Sequence, residues 1–350
     1  MTIKHVRIVG TGLIGTSIAL GLARAGITLE LEDRDPNSRA LATDLLKSHL
    51  GSGAPEIVVI ATPPEAVAET IVKEFASNPK SIFIDVSSVK TKVINEIDAL
   101  SASGLTFIAT HPMAGREVGG AHSAQGDLFQ GRAWIVTPSA TVSESDVDLV
   151  CELISILGAT VYRMSAQEHD ALMASISHLP QLLSTALATS ISNLGSGLEL
   201  AGQGLRDMTR IANSDSKLWV EIIKNNRDYI KESLDRFSSV IGALDEAMRN
   251  LDGDAIAKIF EEGKSGRALV SGKHGAKARN YSFVRVVIED KPGQLSKIVN
   301  QCAEISANIE DLSIEHSPGQ ETGLITLAFS PEDAQRVLHH LERDWKVYLT

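Results

Sequence analysis

The chain has 350 residues, 43% of them hydrophobic and 22% charged, a composition that suits a folded globular protein with room for two or three cores. Its net charge of −11 speaks against a nucleic-acid or anionic-surface partner and leaves any small anionic ligand to local cations. No stretch approaches the length of a membrane span and no basic-then-apolar leader opens the sequence, so no membrane partner and a cytoplasmic location are expected.

From Lys4 to about Ser165 strands and helices alternate, the pattern of a doubly wound parallel sheet with helices on both faces. The first strand, Val6-Arg7-Ile8-Val9, runs into Gly10-Thr11-Gly12-Leu13-Ile14-Gly15, and residues 13–25 carry apolar side chains at helical spacing. Residues 28–31 form the next strand, with Asp33 at its end. In this context the glycines have separate tasks. Gly10 permits the tight turn, Gly12 lets the backbone approach a pyrophosphate, and Gly15 lets the helix pack closely on the strand. An acid at the position of Asp33 can accept bonds from both adenosine ribose hydroxyls and repels a 2′-phosphate, which favours NAD over NADP. Arg34 argues the other way, since it can stack on adenine or meet a 2′-phosphate, but Glu32 and Asp35 surround it with negative charge.

The segment from Asp33 to Ile57 is short for a helix, a strand and a second helix, so one sheet element is expected to be trimmed. Residues 57–61 form a buried strand ending in Thr62-Pro63-Pro64. Residues 81–86 form another leading into Ser87-Ser88-Val89-Lys90, and residues 106–110 a third running into His111-Pro112. Residues 134–136 and 160–162 read as later strands. Cys151 and Cys302 sit in apolar helical patterns, which favours buried thiols over a disulfide, and no metal site is expected.

Beyond Ser165 strand signals vanish. Residues 167–193, 215–243 and 244–262 read as helices, several of them apolar all round, as in helices that pack on one another or on a second subunit. Residues 265–279 are rich in glycine and basic side chains and read as a linker. After it the order is strand (283–288), helix (293–305), strands (309–315 and 324–329), helix (331–343) and strand (345–349), a β-α-β-β-α-β ferredoxin-like unit. The expected domains are 1–165, 166–264, a linker over 265–280, and 281–350.

In a doubly wound sheet, ligands lie outside the carboxyl ends of the strands. Ser87, Ser88 and Lys90 follow one strand, and His111 follows another, held in an extended turn by Pro112. The helical region adds His178 and Pro180, then Arg206-Asp207-Met208-Thr209-Arg210. A histidine beside a nicotinamide can take the hydroxyl proton as hydride leaves the same carbon. A nearby hydroxyl such as Ser88 can share that bond, and an arginine can hold a substrate carboxylate with two parallel hydrogen bonds. Structural readings stand beside these. Ser87 and Ser88 can cap a helix starting near Thr91, and His111 can be a satisfied structural histidine. His178, among Ile176, Leu179 and Leu182, suits helix packing as well as chemistry. One of Arg206 and Arg210 can simply pair with Asp207, and Glu117 can pair with an arginine. His5, His49, His122, His169 and the C-terminal histidines have no evident partner and are expected to be solvated.

Several motifs in this order resemble the prephenate/arogenate dehydrogenase family: Val9-Gly10-Thr11-Gly12-Leu13-Ile14-Gly15, Ala61-Thr62-Pro63, Asp85-Val86-Ser87-Ser88-Val89-Lys90, His111-Pro112-Met113-Ala114-Gly115, Ser177-His178-Leu179-Pro180 and Asp207-Met208-Thr209-Arg210-Ile211-Ala212. The resemblance covers nearly all of residues 6–262. It implies NAD-dependent oxidative decarboxylation of prephenate to 4-hydroxyphenylpyruvate, with arogenate as the alternative substrate. A non-catalytic, amino-acid-sensing NAD-binding protein is the reading from another class. The resemblance also implies a homodimer built on the helical domains. By the family's motifs His111 deprotonates the C4 hydroxyl, Ser88 supports it and Arg210 binds carboxylate, with His178, Gln181, Glu117 and Asp207 around the substrate. Leu13, Ile14, Thr62 and Ser87 join Gly10, Gly12, Gly15, Asp33 and Arg34 around the cofactor. Many relatives have histidine where this chain has Gln181, and a small hydroxyl residue where Arg116 stands. The C-terminal unit resembles an ACT domain through Asp290-Lys291-Pro292-Gly293-Gln294-Leu295 and Asn308-Ile309. That implies an effector, tyrosine, at Asp290, Pro292, Gly293 and Asn308.

Overall fold

The computed structural model describes residues 3–115, 119–270, 281–316 and 321–349. The chain divides into two compact units, residues 1–239 and 240–350. The division falls within the helical region rather than at either of its ends.

Residues 1–239 open with strand β1 (His5–Val9), helix α1 (Leu13–Arg24), β2 (Thr28–Glu32), α2 (Pro36–Leu46), β3 (Ile57–Ile60), α3 (Val67–Ser77), β4 (Ile82–Asp85), α4 (Thr91–Ala99), β5 (Thr106–Pro112), β6 (Ala133–Thr137), α5 (Glu144–Ile156) and β7 (Thr160–Arg163). Their sheet has the order β2-β1-β3-β4-β5-β6-β7. β3 is buried throughout. Its alternate residues serve opposite layers: Ile57 and Val59 pack with Ile18, Leu22 and Trp134, while Val58 and Ile60 pack with Val67, Ile71 and Phe83. A strand covered on both faces has no solvent side to keep polar, hence its unbroken β-branched run.

The trimmed element is real: α2 gives way to a 3-10 turn at Lys47–His49, and only an isolated bridge from Leu50 to Leu29 continues the edge of the sheet. The sheet is not wholly parallel as expected. β6 pairs antiparallel with β5, His111 opposite Ile135, whereas the other pairs run parallel. The connection from β5 to β6 holds a 3-10 turn at Ala121–Ser123 and no crossover helix among its described residues, and a parallel neighbour needs such a crossover.

The helical region follows with α6 (Ala166–Met173), a π-helical turn (Ala174–His178), α7 (Leu179–Ser190), α8 (Gln203–Thr209), α9 (Ser216–Asn225), α10 (Arg227–Arg249) and α11 (Gly253–Ala268). The helix expected over 215–243 breaks at Asn226 and resumes to Arg249. The next begins after Asp252, whose side chain accepts the Ala255 N–H at 3.0 Å as its N-cap. α11 also runs into the first residues read as linker, and residues 271–280 lie outside those described. No helix among the described residues is long and apolar enough to cross a membrane.

Within residues 240–350, β8 (Ser282–Glu289), α12 (Gln294–Glu304), β9 (Asp311–His316), β10 (Thr322–Phe329), α13 (Pro331–Leu341) and β11 (Lys346–Leu349) keep the predicted order. They form an antiparallel sheet of order β11-β8-β10-β9. Val284, Val286 and Ile288, every second residue of β8, face the core with Ile298, Cys302, Val337 and Leu341. The two cysteines are free thiols: Cys151 is half-buried, and Cys302 is buried, its thiol pushed up to about 11 by loss of solvent.

Candidate active site

The strand order reverses about β1, which is flanked by β2 and β3, so the ligand crevice of this sheet opens at the carboxyl ends of β1 and β3. The two loops touch there. Gly10 has φ +102°, and a Cβ on it would lie 2.4 Å from the Ala61 carbonyl oxygen. A Cβ on Gly15 would lie 1.9 Å from the Gly10 carbonyl oxygen, so the helix sits on the turn with no room for a methyl group. At Gly12 a Cβ would meet nothing within 4 Å.

Gly12 is also the N-cap of α1 and no side chain caps that helix, so its first N–H groups are available to an anion. Thr62 adds a buried hydroxyl without a hydrogen-bond partner. These residues fit a dinucleotide's diphosphate. Asp33 closes the turn: one carboxylate oxygen accepts the Thr11 N–H at 2.6 Å and hydroxyl at 2.9 Å, and the other accepts the Asp35 N–H at 2.8 Å. The first oxygen is thereby filled, and the second keeps a lone pair for a ribose hydroxyl. Arg34 is exposed.

Across the crevice, β4 and β5 run parallel as neighbours, so the Ser87–Lys90 segment and His111 emerge side by side. Beneath them lies a buried ion pair. Lys90 Nζ donates to Asp85 Oδ2 at 2.5 Å, to the Thr110 carbonyl at 2.6 Å and to the Ser87 hydroxyl at 3.2 Å. Asp85 also accepts from the Ser87 hydroxyl and from the Thr110 N–H. Both charged side chains are fully shielded. Burial holds the Lys90 ammonium below its ordinary value, and the charge and hydrogen bond of Asp85 offset only part of that shift. Ser87 is therefore an inward-facing member of this pair, while Ser88 is half-buried.

His111 is bonded to a residue expected to be solvated. Its Nδ1 lies 2.8 Å from Nε2 of His169, whose Nδ1 lies 2.8 Å from Oδ1 of Asp170. His169 and Asp170, on α6, are 0% and 1% exposed. His5, also expected in solvent, is buried at 8% exposure. Asp170 further accepts the backbone N–H groups of Lys90 at 2.9 Å and Thr91 at 2.8 Å. The cap of α4 thus comes from another helix rather than from Ser87 or Ser88, because no side chain near Lys90 supplies it. Burial favours a neutral Asp170, but the bonds from His169, Thr91 and Lys90 outweigh it and hold the carboxyl below its usual range. Burial above all, then His169, Lys90 and His178, keeps the His111 imidazole well below its ordinary value, so the ring is neutral at physiological pH.

His178 ends the π-helical turn, the kind of helix irregularity that recurs at functional sites. It is 1% exposed, its Nδ1 lies 3.1 Å from the Asn226 amide nitrogen, and its ring meets Trp219 edge-on at 5.9 Å. Burial lowers it to about 4. Asn226 also donates to the Asp170 carbonyl at 2.8 Å, so His178 and the His169–Asp170 pair share one strut. Gln181 is buried, and its amide donates to the Ile211 carbonyl at 2.8 Å and accepts from Ser214 at 3.3 Å. Its amide thus holds the turn that carries Arg210. Arg210 is exposed, and Asp207, also exposed, accepts from Gln203 at 2.7 Å. Glu117 and its neighbour Arg116 lie outside the described residues.

Sequence reasoning missed His169, Asp170 and Asn226. A usable signal was present in Ser165-Ala166-Gln167-Glu168, a capping box that starts the helix and fixes the phase on which His169 and Asp170 turn inward.

The effector candidates do not converge. Asp290, Pro292 and Gly293, with φ +88° at Gly293, follow the end of β8. Asn308 precedes β9, whose first residue pairs with Ala328, itself opposite Phe283 at the start of β8. The two groups therefore lie at opposite ends of the sheet.

Two profiles of one family match the chain: prephenate dehydrogenase, nucleotide-binding domain, over residues 6–163, and prephenate dehydrogenase, dimerization domain, over residues 165–262. The probable prephenate dehydrogenase NovF of Streptomyces niveus is 28% identical, the match covering 96% of this chain and 97% of that protein. A crystal structure of prephenate dehydrogenase from A. aeolicus, in complex with hydroxyphenyl propionate and NAD+, superposes with TM-score 0.69 at 25% identity, covering 76% of this chain and 98% of the other. Synechocystis arogenate dehydrogenase superposes with TM-score 0.65 at 25% identity, covering 75% and 98%.

Proposed function

The chain belongs to the prephenate dehydrogenase family, and as an NAD-dependent prephenate dehydrogenase we propose that it converts prephenate to 4-hydroxyphenylpyruvate and CO₂ with His111 as the base. NAD, when bound, supplies the hydride acceptor. His111 receives the proton released by the C4 hydroxyl, Ser88 shares that bond, and Arg210 holds a substrate carboxylate. Loss of the ring carboxylate as CO₂ then makes the ring aromatic. The nucleotide is held by Gly10, Gly12, Gly15, Thr62 and Asp33. Family boundaries at 163 and 165 support a functional division near residue 165.

The observation that carries this reading is a neutral, strand-end His111 joined to the buried His169–Asp170 pair at 2.8 Å within the matched span. Steady-state NADH formation with prephenate and arogenate, each against NAD+ and NADP+, tests it. Prephenate with NAD+ is expected to give the highest kcat/KM. Turnover of arogenate alone would move the substrate to the second reading, which the likeness to an arogenate dehydrogenase supports. His111→Asn is expected to keep NAD affinity while kcat falls by about 10²- to 10⁴-fold.

Exposed apolar side chains on α10 and α11, among them Val240, Ile241, Met248 and Phe260, support a homodimer through the helical region. The strand order and β-α-β-β-α-β sequence of residues 281–349 support a ferredoxin-like ACT unit that senses tyrosine. Because Asn308 and the Asp290–Gly293 turn lie at opposite ends of one sheet, a single effector touching both needs a second copy of the chain. Isothermal titration with tyrosine, alongside inhibition of NADH formation, tests this role: no heat and no inhibition remove it.

A further inference from the structure

His169 and Asp170 sit behind His111 and have no role in the functional reading of the sequence, yet both are almost wholly shielded from solvent. Building on the proposed role of His111, we propose that His169, anchored by Asp170, is a positioning residue that fixes His111 in the tautomer whose Nε2 lone pair faces the substrate hydroxyl.

The donors and acceptors along this chain of contacts match in only one direction. Asp170 Oδ1 accepts the Lys90 N–H and Oδ2 accepts the Thr91 N–H, so each oxygen is committed as an acceptor to a backbone donor that cannot turn around. These two donors, at the start of α4, also favour a charged carboxylate there. An ionised Asp170 can only accept, so Nδ1 of His169 must carry the proton in their 2.8 Å contact. A neutral His169 then presents a bare Nε2. His111 Nδ1, 2.8 Å away, must donate to it. The polarity runs one way, from His111 through His169 to Asp170, and it leaves Nε2 of His111 as the ring's free lone pair. The opposite tautomer would set two lone pairs against each other across 2.8 Å.

The same chain matters as the reaction proceeds. Lys90, His178 and the second imidazole crowd His111 and oppose a positive charge on it, with Asp85 neutralising Lys90. When His111 takes the hydroxyl proton at Nε2, its Nδ1–H stays bonded to His169, and the negative charge of Asp170 lies behind that bond. Removing His169 is therefore expected to cost turnover rather than binding, because the misassigned tautomer presents N–H where a lone pair is required.

Two measurements test this. In the first, ¹⁵N-labelled histidine in the intact wild-type protein reports which ring nitrogen of His111 bears hydrogen, with His111→Asn assigning the signal. A protonated Nδ1 and bare Nε2 are expected. A protonated Nε2 overturns the proposal, whatever the activity. In the second, kinetics compare His169→Phe with His169→Gln, whose amide oxygen can still accept from His111. His169→Phe is expected to lower kcat by about 10²- to 10³-fold with prephenate KM and NAD affinity within threefold of wild type. It should also displace the acid limb of the kcat–pH profile, and His169→Gln should recover most of the loss. A His169→Phe enzyme with wild-type kcat and pH profile overturns the positioning role while leaving the function intact. A wild-type enzyme inactive on both prephenate and arogenate overturns the functional reading instead, and the ring-nitrogen assignment still stands or falls separately.

Discussion

At the nucleotide end of residues 1–239, Gly10, Gly12 and Gly15 lie within one turn of chain and act through side chains they lack. At the histidine end, Asp85, Lys90, His111, His169, Asp170, His178 and Asn226 come from separate strands, loops and helices and act through polar atoms that are nearly all paired. The first end is a question of space and the second of charge. Adding one carbon should damage the first, and removing one polar group should damage the second.

The largest effect falls on the charged end. Lys90→Met leaves Asp85 buried without its cation and is expected to cost about 3–5 kcal/mol in urea unfolding; a cost under about 1 kcal/mol would mean the pair behaves like a surface bridge. Next comes Gly15→Ala, whose methyl group must displace the Gly10 carbonyl. It should lose about 1–3 kcal/mol of stability, together with NAD binding in a fluorescence titration.

Third is an acid effect at His178. Its pKa is near 4 in the fold against an ordinary 6.5, so between those values the unfolded chain binds more protons. Stability is whole above pH 6.5 and falls as pH drops through this window, by on the order of 2 kcal/mol near pH 4.5. Wild type should lose more stability than His178→Gln between pH 7 and 4.5, and equal losses would clear His178 of the effect. The smallest change in stability is expected for Gly12→Ala, whose methyl group points into open space. Less than about 1 kcal/mol is lost, yet NAD affinity should drop because the same space admits the diphosphate. Unchanged affinity would place the cofactor elsewhere.

The contrast also explains what could be read from sequence. Gly10 to Asp33 is legible because its constraints are local: a turn, a helix start and a strand end follow one another in chain order. β1 to β5 and the trimmed sheet element after α2 are legible for the same reason. The antiparallel turn of β6 is not, since its direction depends on a connection from β5 that holds no crossover helix among its described residues, and not on the residues of Trp134-Ile135-Val136. His111 was found from its place at a strand end. His169 was not, because nothing near it in sequence shows that α6 carries it against a strand end 58 residues earlier. Ser88 and the start of α4 misled for a related reason. Local capping rules do not reach a helix whose cap is Asp170, 80 residues away.

The cap that Asp170 lends to α4 ties the first turn of that helix to the seat of His169. Any slackening of α6 would free the amides of Lys90 and Thr91 and release the second imidazole in the same movement. Hydrogen–deuterium exchange at those two amides therefore offers a remote gauge of the base, readable without substrate or nucleotide.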